Sequence, residues 1–411
     1  MDELPSNQKR HRAGMAPIDS PPPRRGRRRR ARSAAPEVRV VGQVDVAILI
    51  IVTLLVLIGV AMVFSASYRF ATLRFGDPFW YLRRNVMFAA VGFFVMLFLA
   101  NFNYELIRPF TTLIYAVSVG LLIMVIFFGE EINGARRWIN LPLIGQFQPS
   151  EIARAAIIFM MAYLIEKYPR LPRTLLGVVF LTGGVIGVVA GLIAWPGGAT
   201  VAIMTTIIGF AMIAVASPFF WKLVVVGGIG AAGFAGYLYW QYITAADFRG
   251  GRFGAWLDPF SDPDNRGYQI INALYAIASG GWFGQGPGNS LQVTFIPEPQ
   301  NDIIFAVLIE ETGFVGAAFI MILFAILFWR GIITSMRAPD TFSSLTALGI
   351  VFAIAIPAVI NIGVVTNSIP NTGVNLPFIS YGGTSLLVSM ALMGVLLNIS
   401  RYSVQKKKQK R

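Results

Sequence analysis

About ten long apolar runs, joined by polar connections, constrain this chain more than any other feature. They cover residues 46–64, 86–100, 110–128, 152–165, 174–194, 199–216, 223–242, 303–329, 345–365 and 376–399. A helix of roughly twenty apolar residues matches the hydrocarbon thickness of a bilayer. Backbone amides inside lipid must bond within their own segment, which leaves helices as the spanning element for runs of this length. The expectation is an all-α polytopic membrane protein of about ten transmembrane helices. Several runs are shorter than an unaided crossing.

Composition agrees, since 55% of the residues are hydrophobic and only 13% charged, against about a quarter charged in a soluble domain. Cysteine is absent and the single histidine, His11, lies in a polar tail. That excludes disulfides, iron–sulfur clusters, thiolate nucleophiles and Cys/His zinc sites. Proton transfer must fall to carboxylates, Lys, Tyr or water.

The net charge of +14 is concentrated at the chain ends, where half of the 34 basic residues sit. Residues 1–42, rich in Pro, Arg and Ser, read as a disordered basic tail, and 403–411 as a second one. Residues 43–402 form the transmembrane domain. An even number of spans puts both tails on the cytoplasmic side, against anionic membrane lipids. Lys167, Arg170, Arg173, Arg330 and Arg337 fall in connections on that same side. This distribution is a topology signal, and no nucleic-acid partner is expected. Ser65-Ala66-Ser67 follows the first run as a cleavage site would, yet some forty residues precede that run, so an uncleaved signal anchor is expected.

On the opposite face, the loop 129–150 carries Glu130, Glu131, Arg136, Arg137 and Trp138, and the segment 243–302 forms a large extracytoplasmic loop capping the bundle. Three clusters there could carry chemistry. The first is Asn133 to Trp138 with Gln148-Pro149-Ser150-Glu151 and Arg154. Pro149 and Ser150 suit a helix start, and Glu151 and Arg154 share a helical face. They read equally as a bracing salt bridge or as part of a cationic site for a phosphate-bearing lipid. The second holds Arg252, Asp258-Pro259 and the glycine-rich stretch from Gly280 to Ser290. It lacks the Gly-Lys-Ser/Thr ending of a P-loop and reads as a tightly turned re-entrant loop. The third, Pro297-Glu298-Pro299-Gln300-Asn301-Asp302, runs into a helix bearing Glu310 and Glu311. Helical geometry separates Asp302 from Glu310 by roughly 12 Å, too far to share a proton. Asp302, at the helix mouth, is the carboxylate best placed to meet a substrate, its structural alternative being an N-terminal cap.

These motifs resemble the shape, elongation, division and sporulation (SEDS) family. The resemblance rests on Gly134 to Ile139, Gln148 to Glu151, Asp258-Pro259 with Gly267-Tyr268-Gln269, and Gly284-Gln285-Gly286 with Gly288-Asn289-Ser290. Pro297-Glu298 with Asp302, Ile304-Phe305-Ala306, Glu310-Glu311 and the stretch from Leu376 to Ser385 extend it, in order, over about residues 43–402. It implies a ten-helix polymerase of lipid II, acting outside the cytoplasmic membrane with a class B penicillin-binding protein transpeptidase and other divisome proteins. Asp302 takes the position of the family's essential aspartate. The implied substrate-binding residues are Arg136, Arg137, Glu151, Arg154, Arg252, Ser290 and Glu298. The Gly-Asn-Ser form of the cap loop is most similar to the division member FtsW, which implies a place at the septum. The chain departs from the pattern at Val293, Asn301, Ile303, Ile309 and Trp195 to Thr200.

In the implied reaction, Asp302 is the general base for an acceptor sugar hydroxyl, and Arg137, Arg154, Arg136 or Arg252 stabilise the departing pyrophosphate. No cofactor is demanded and no metal-ligand set is assigned. A divalent cation, Mg or Mn, bridging pyrophosphate and carboxylate is compatible with the chemistry. The rival functions are a lipid II flippase, a scaffold that only recruits the transpeptidase, and an elongation polymerase of RodA type. The uncharged runs 174–194 and 345–365 argue against a polar path across the bundle.

Overall fold

The computed structural model describes residues 42–132, 135–141, 145–218, 224–228, 250–265 and 267–402, with single positions at 221, 230, 233 and 236. The basic tails and most of the run 223–242 therefore lie outside the described residues. Within them, eight helices are long and apolar enough to cross a membrane. They are α1 (Val46–Phe75), α2 (Trp80–Asn101), α3 (Ile107–Phe128), α5 (Leu175–Ala194), α6 (Ala199–Ala216), α9 (Ile304–Arg337), α10 (Thr341–Val365) and α11 (Gly383–Arg401). Between α3 and α5 lies α4 (Pro149–Lys167), of 19 residues, whose Glu151, Arg154, Glu166 and Lys167 make it more polar. Two shorter helices, α7 (Gly250–Leu257) and α8 (Tyr268–Gly280), belong to the large loop. The polytopic helical architecture is as expected.

Polar contacts sort the helix ends into two sets. At one end Asp45 caps α1, accepting from the Ala47 and Ile48 amides at 3.1 and 3.4 Å, while Arg330 Nε donates to its second oxygen at 2.9 Å. The Tyr104 amide donates to Asn398 Oδ1 at 3.1 Å, and Arg108 bridges Glu166 at 2.8 Å and Asp340 at 3.4 Å. Asp340 also caps α10 in a box with Ser343. The start of α1, the α2–α3 and α9–α10 turns and the ends of α4 and α11 thus gather together. Lys167, Arg330, Arg337 and Arg401 lie in the last turns of the helices that end there.

Close approach rests on small residues, as in other membrane bundles. Along the α2–α11 seam, a Cβ on Gly92 would meet Met390 Sδ at 2.6 Å, and one on Gly394 would meet the Leu99 side chain at 2.9 Å.

Four details differ from the sequence reading. Helix α1 continues eleven residues past position 64, because its polar extension keeps helical backbone beyond the apolar run. The last apolar run is not helical at its start: α11 begins at Gly383, and Leu376, Phe378 and Ile379 are buried in an irregular segment. Such backbone is tolerated at membrane depth only when protein satisfies it. Here the Leu376 amide donates to Ser380 Oγ at 2.8 Å and the Tyr381 amide to the Gln300 carbonyl at 2.9 Å. Helix α9 is broken at Gly313, with φ 70° and ψ −172°. The 129–150 loop, finally, holds a small antiparallel sheet in the order β1 (Glu130–Ile132), β2 (Ala135–Leu141) and β3 (Gly145–Phe147).

Candidate functional site

The end of the bundle away from Asp45 holds all three clusters read from the sequence. The segment entering α9 is fixed by prolines and a tight turn. Glu298, between Pro297 and Pro299, adopts φ 47°, a left-handed conformation costly for a residue with a Cβ. Its carbonyl accepts the Asn301 amide at 3.0 Å and its carboxylate accepts Asn301 Nδ2 at 2.8 Å. Its carboxylate also pairs with Arg74 of α1, at 3.6 Å.

Asp302 follows, half-buried, two residues before α9. The N-cap position of α9 is Ile303 and carries no side-chain cap bond, so Asp302 does not serve as the helix cap. Three elements converge on it instead. From α8, Gln269 Nε2 lies 3.5 Å from Asp302 Oδ1, and Asn371 Nδ2 donates to Gln269 Oε1 at 2.9 Å. Asn371 in turn accepts the Gly373 amide at 3.1 Å, and Gly373, at φ 65°, faces Asp302 Oδ2. From α10, the fully buried Asn361 donates to the Asp302 carbonyl at 2.6 Å and to the Val374 carbonyl at 2.7 Å. Tyr381 stands edge-on to Tyr81 at 4.9 Å.

The glycine-rich stretch is tightly turned, with positive φ at Gly281, Gly284, Gly286 and Gly288. It pairs with the break in α9: the Gln285 amide donates to the Glu310 carbonyl at 2.8 Å, and the Phe314 amide to the Gly281 carbonyl at 2.9 Å. The loop therefore takes over the i to i+4 bond that the break removes. A Cβ on Gly284 would meet the Thr312 amide nitrogen at 2.6 Å. Ser290, buried, donates to the Glu310 carboxylate, which also accepts the Leu291 amide at 3.0 Å. Glu311 accepts from Ser65 of α1. Both glutamates meet polar groups inside the bundle, as their positions suggested.

In the cationic cluster, Arg154 and Glu151 form a buried ion pair in the first turns of α4. Arg137 donates to the Gly197 carbonyl and lies 5.9 Å from the Trp138 ring centroid. The Arg136 amide donates to the Pro196 carbonyl at 3.1 Å, while its guanidinium points to exposed Glu131 at 3.4 Å. Strand β2 is thus docked on the 195–198 turn. The Gln148 amide reaches Thr384 Oγ1 at 3.4 Å and that hydroxyl donates to the Gln146 carbonyl at 3.2 Å. The start of α4 therefore abuts the start of α11, just after Tyr381. The side chain of Arg252 lies outside the described residues.

Several residues at this end escaped the sequence reading. Arg69 donates to Thr294 at 2.6 Å, and Arg84 lies 4.8 Å from the Trp80 ring centroid. Both belong to the α1–α2 hairpin, and a helical extension past the apolar run was the signal available for Arg69. Asn361 and Asn371 are neutral amides with no motif of their own, and nothing in their local spacing, or in that of Gln269 within its Gly-Tyr-Gln motif, marks them as neighbours of Asp302.

The family model described as Cell cycle protein (FtsW/RodA/SpoVE) matches residues 45–405. The chain is 41% identical to Stage V sporulation protein E of Bacillus subtilis (strain 168) over 367 residues, covering 87% of this chain and 97% of the relative. It is 37% identical over 361 residues to a probable peptidoglycan glycosyltransferase FtsW of Trichlorobacter lovleyi, covering 87% and 93%. Among solved structures, a peptidoglycan synthase complex that coordinates polymerization and crosslinking contains a chain similar to this one. That chain has a TM-score of 0.72 at 26% identity, covering 88% of this chain and 99% of its own length.

Proposed function

Because the chain belongs to the FtsW/RodA/SpoVE cell cycle protein family, we propose that it is a peptidoglycan glycosyltransferase that polymerises lipid II in septal wall synthesis. It is a multi-pass membrane protein, and the proposed reaction takes place at the outer face of the cytoplasmic membrane, with both tails inside. The observation that carries the reading is the setting of Asp302, a half-buried carboxylate whose backbone is clamped by Asn361 and whose side chain faces an amide relay.

In the proposed step, the acceptor sugar hydroxyl oxygen attacks the anomeric carbon of the donor. The new C–O glycosidic bond forms as the bond to the lipid pyrophosphate breaks, and the hydroxyl proton passes to Asp302. Arg137 and Arg154, the latter held in place by Glu151, donate to the leaving pyrophosphate. Arg69 and Arg74 meet the segment before Asp302, at Thr294 and Glu298. Ser290 and Glu298 shape that loop's surroundings. Among the described residues no three His, Cys, Asp or Glu side chains gather to hold a metal ion. A divalent cation at Asp302 would draw most of its ligands from substrate oxygens and water, and no step is routed through it.

The similarity to a chain from a synthase complex supports a class B penicillin-binding protein as partner. The relatives named FtsW support division, while the 41% identity to a sporulation protein supports a second reading, a sporulation polymerase. The test of the activity is polymerisation of labelled lipid II by the purified chain with its transpeptidase. Asp302→Asn should bind lipid II and lose two or more orders of magnitude in glycan formation, the scale of a lost general base. Near-normal glycan from this variant removes Asp302 from catalysis. Lipid II transfer between leaflets without any glycan from the wild type would make the chain a flippase.

A further inference from the structure

At the end of the bundle opposite Asp302, the start of α1 and the last turns of α9 and α11 enclose a cavity of about 310 Å³. Asp45 is the carboxylate in its lining, and that charge is already answered. One Asp45 oxygen caps α1, and the other accepts Arg330 Nε at 2.9 Å and Nη2 at 2.6 Å. Ser400 is likewise engaged, accepting the Asp45 amide at 3.0 Å and donating to the Leu397 carbonyl at 2.7 Å. Donors remain in excess. Arg337, exposed in the last turn of α9, makes no hydrogen bond or ion pair among the described residues. Arg330 keeps Nη1 unused by Asp45, and the Gln43 amide also lines the cavity. The lining is therefore positive by one charge and rich in N–H groups of fork geometry, which match the oxygens of a phosphate.

The position narrows the source of that phosphate. Val46, also in the lining, is 52% exposed on the flank of an apolar helix, the surface that acyl chains cover in a bilayer. A headgroup in the cavity would leave its chains along α1. Basic pockets between helix ends are a recurrent setting for anionic lipid headgroups. We propose that this cavity binds the phosphate group of one anionic phospholipid, held by Arg337 and Arg330.

The test uses the purified full chain in mild detergent, with retained phosphatidylglycerol or phosphatidylcholine counted by native mass spectrometry. Phosphatidylglycerol should be retained in preference, and Arg337→Gln should weaken it about fivefold, the effect of one basic residue at an anionic surface. Arg337→Lys should recover only part of the binding, because an ammonium keeps the charge without the fork. Arg170→Gln, which removes the same charge outside the cavity, should change nothing. Inorganic phosphate at the same concentration should not displace the lipid. Equal retention by Arg337→Gln, or an equal loss in Arg170→Gln, overturns the site. Equal retention of phosphatidylcholine overturns the anionic requirement, and displacement by inorganic phosphate overturns the lipid as ligand. Arg337 is exposed, so thermal unfolding of the lipid-free variant should match the wild type. These readouts do not depend on glycan synthesis, so their failure is separate from failure of the polymerase reading.

Discussion

Asn361 donates both hydrogens of its side-chain amide to backbone carbonyls, that of Asp302 at 2.6 Å and that of Val374 at 2.7 Å. One fully buried residue of α10 thereby ties the catalytic candidate's own backbone to the loop before α11. It acts as a positioning residue, since its side chain meets Asp302 only through the main chain.

Asn361→Ala should leave both carbonyls buried without a donor, at about 1–3 kcal/mol each. The expected result is a lower unfolding temperature together with loss of glycan formation. Lipid II binding should fall less than turnover, because the substrate contacts proposed for the arginines remain. Measuring binding and turnover on the same preparation separates displacement of Asp302 from general unfolding. Equal losses in both would reduce Asn361 to a stabilising residue.

The Glu151–Arg154 pair should show the asymmetry of buried ions. Replacing one partner, as in Glu151→Gln, leaves a buried uncompensated charge and should destabilise by about 3–5 kcal/mol. The double replacement Glu151→Gln/Arg154→Gln should cost less than either single change. Thermal unfolding of the three variants checks this. If the double variant is also inactive while stably folded, Arg154 contributes to pyrophosphate binding beyond its bracing role.

Arg137 should tolerate lysine poorly. It donates to the Gly197 carbonyl beside the Trp138 ring, and a planar fork can keep that bond while presenting other N–H groups to phosphate. Arg137→Ala should weaken lipid II binding or turnover by about 1.5–3 kcal/mol, as for a hydrogen bond to a charged group. Arg137→Lys should restore only part of it. Wild-type kinetics in the alanine variant would make the residue a dock for the 195–198 turn and nothing more.

Two glycines at positive φ should behave differently. A Cβ on Gly288 meets nothing within 4 Å, whereas one on Gly313 would meet the backbone of Trp282 and Gly284. Gly288→Ala should cost only the left-handed conformation, about 1–2 kcal/mol. Gly313→Ala should cost more and push the loop off the break in α9, releasing Ser290 from Glu310. Unfolding temperatures, with polymerisation rates, would rank the two; equal effects would show that the loop–break pairing is not rigid.

What the sequence by itself determined is whatever depends on local composition. Apolar runs such as 110–128 and 345–365 could only be membrane-spanning helices, and α3 and α10 end where those runs end. Pro149 marked the first residue of α4, and the spacing of Glu151 and Arg154 sufficed for their pairing. The loop carboxylate at Asp302 was legible because a charge beside an apolar run is costly without a purpose. Tertiary structure decided the rest, because it depends on which distant backbone groups find each other. The apolar segment from Leu376 to Ile379 is as hydrophobic as a helix, yet contact with Gly59 and bonds to Ser380 hold it irregular. Gly313 breaks α9 only because the 281–286 loop supplies replacement bonds. Asn361, Asn371 and Gln269 lie on three separate elements, so only the folded bundle brings their amides to Asp302.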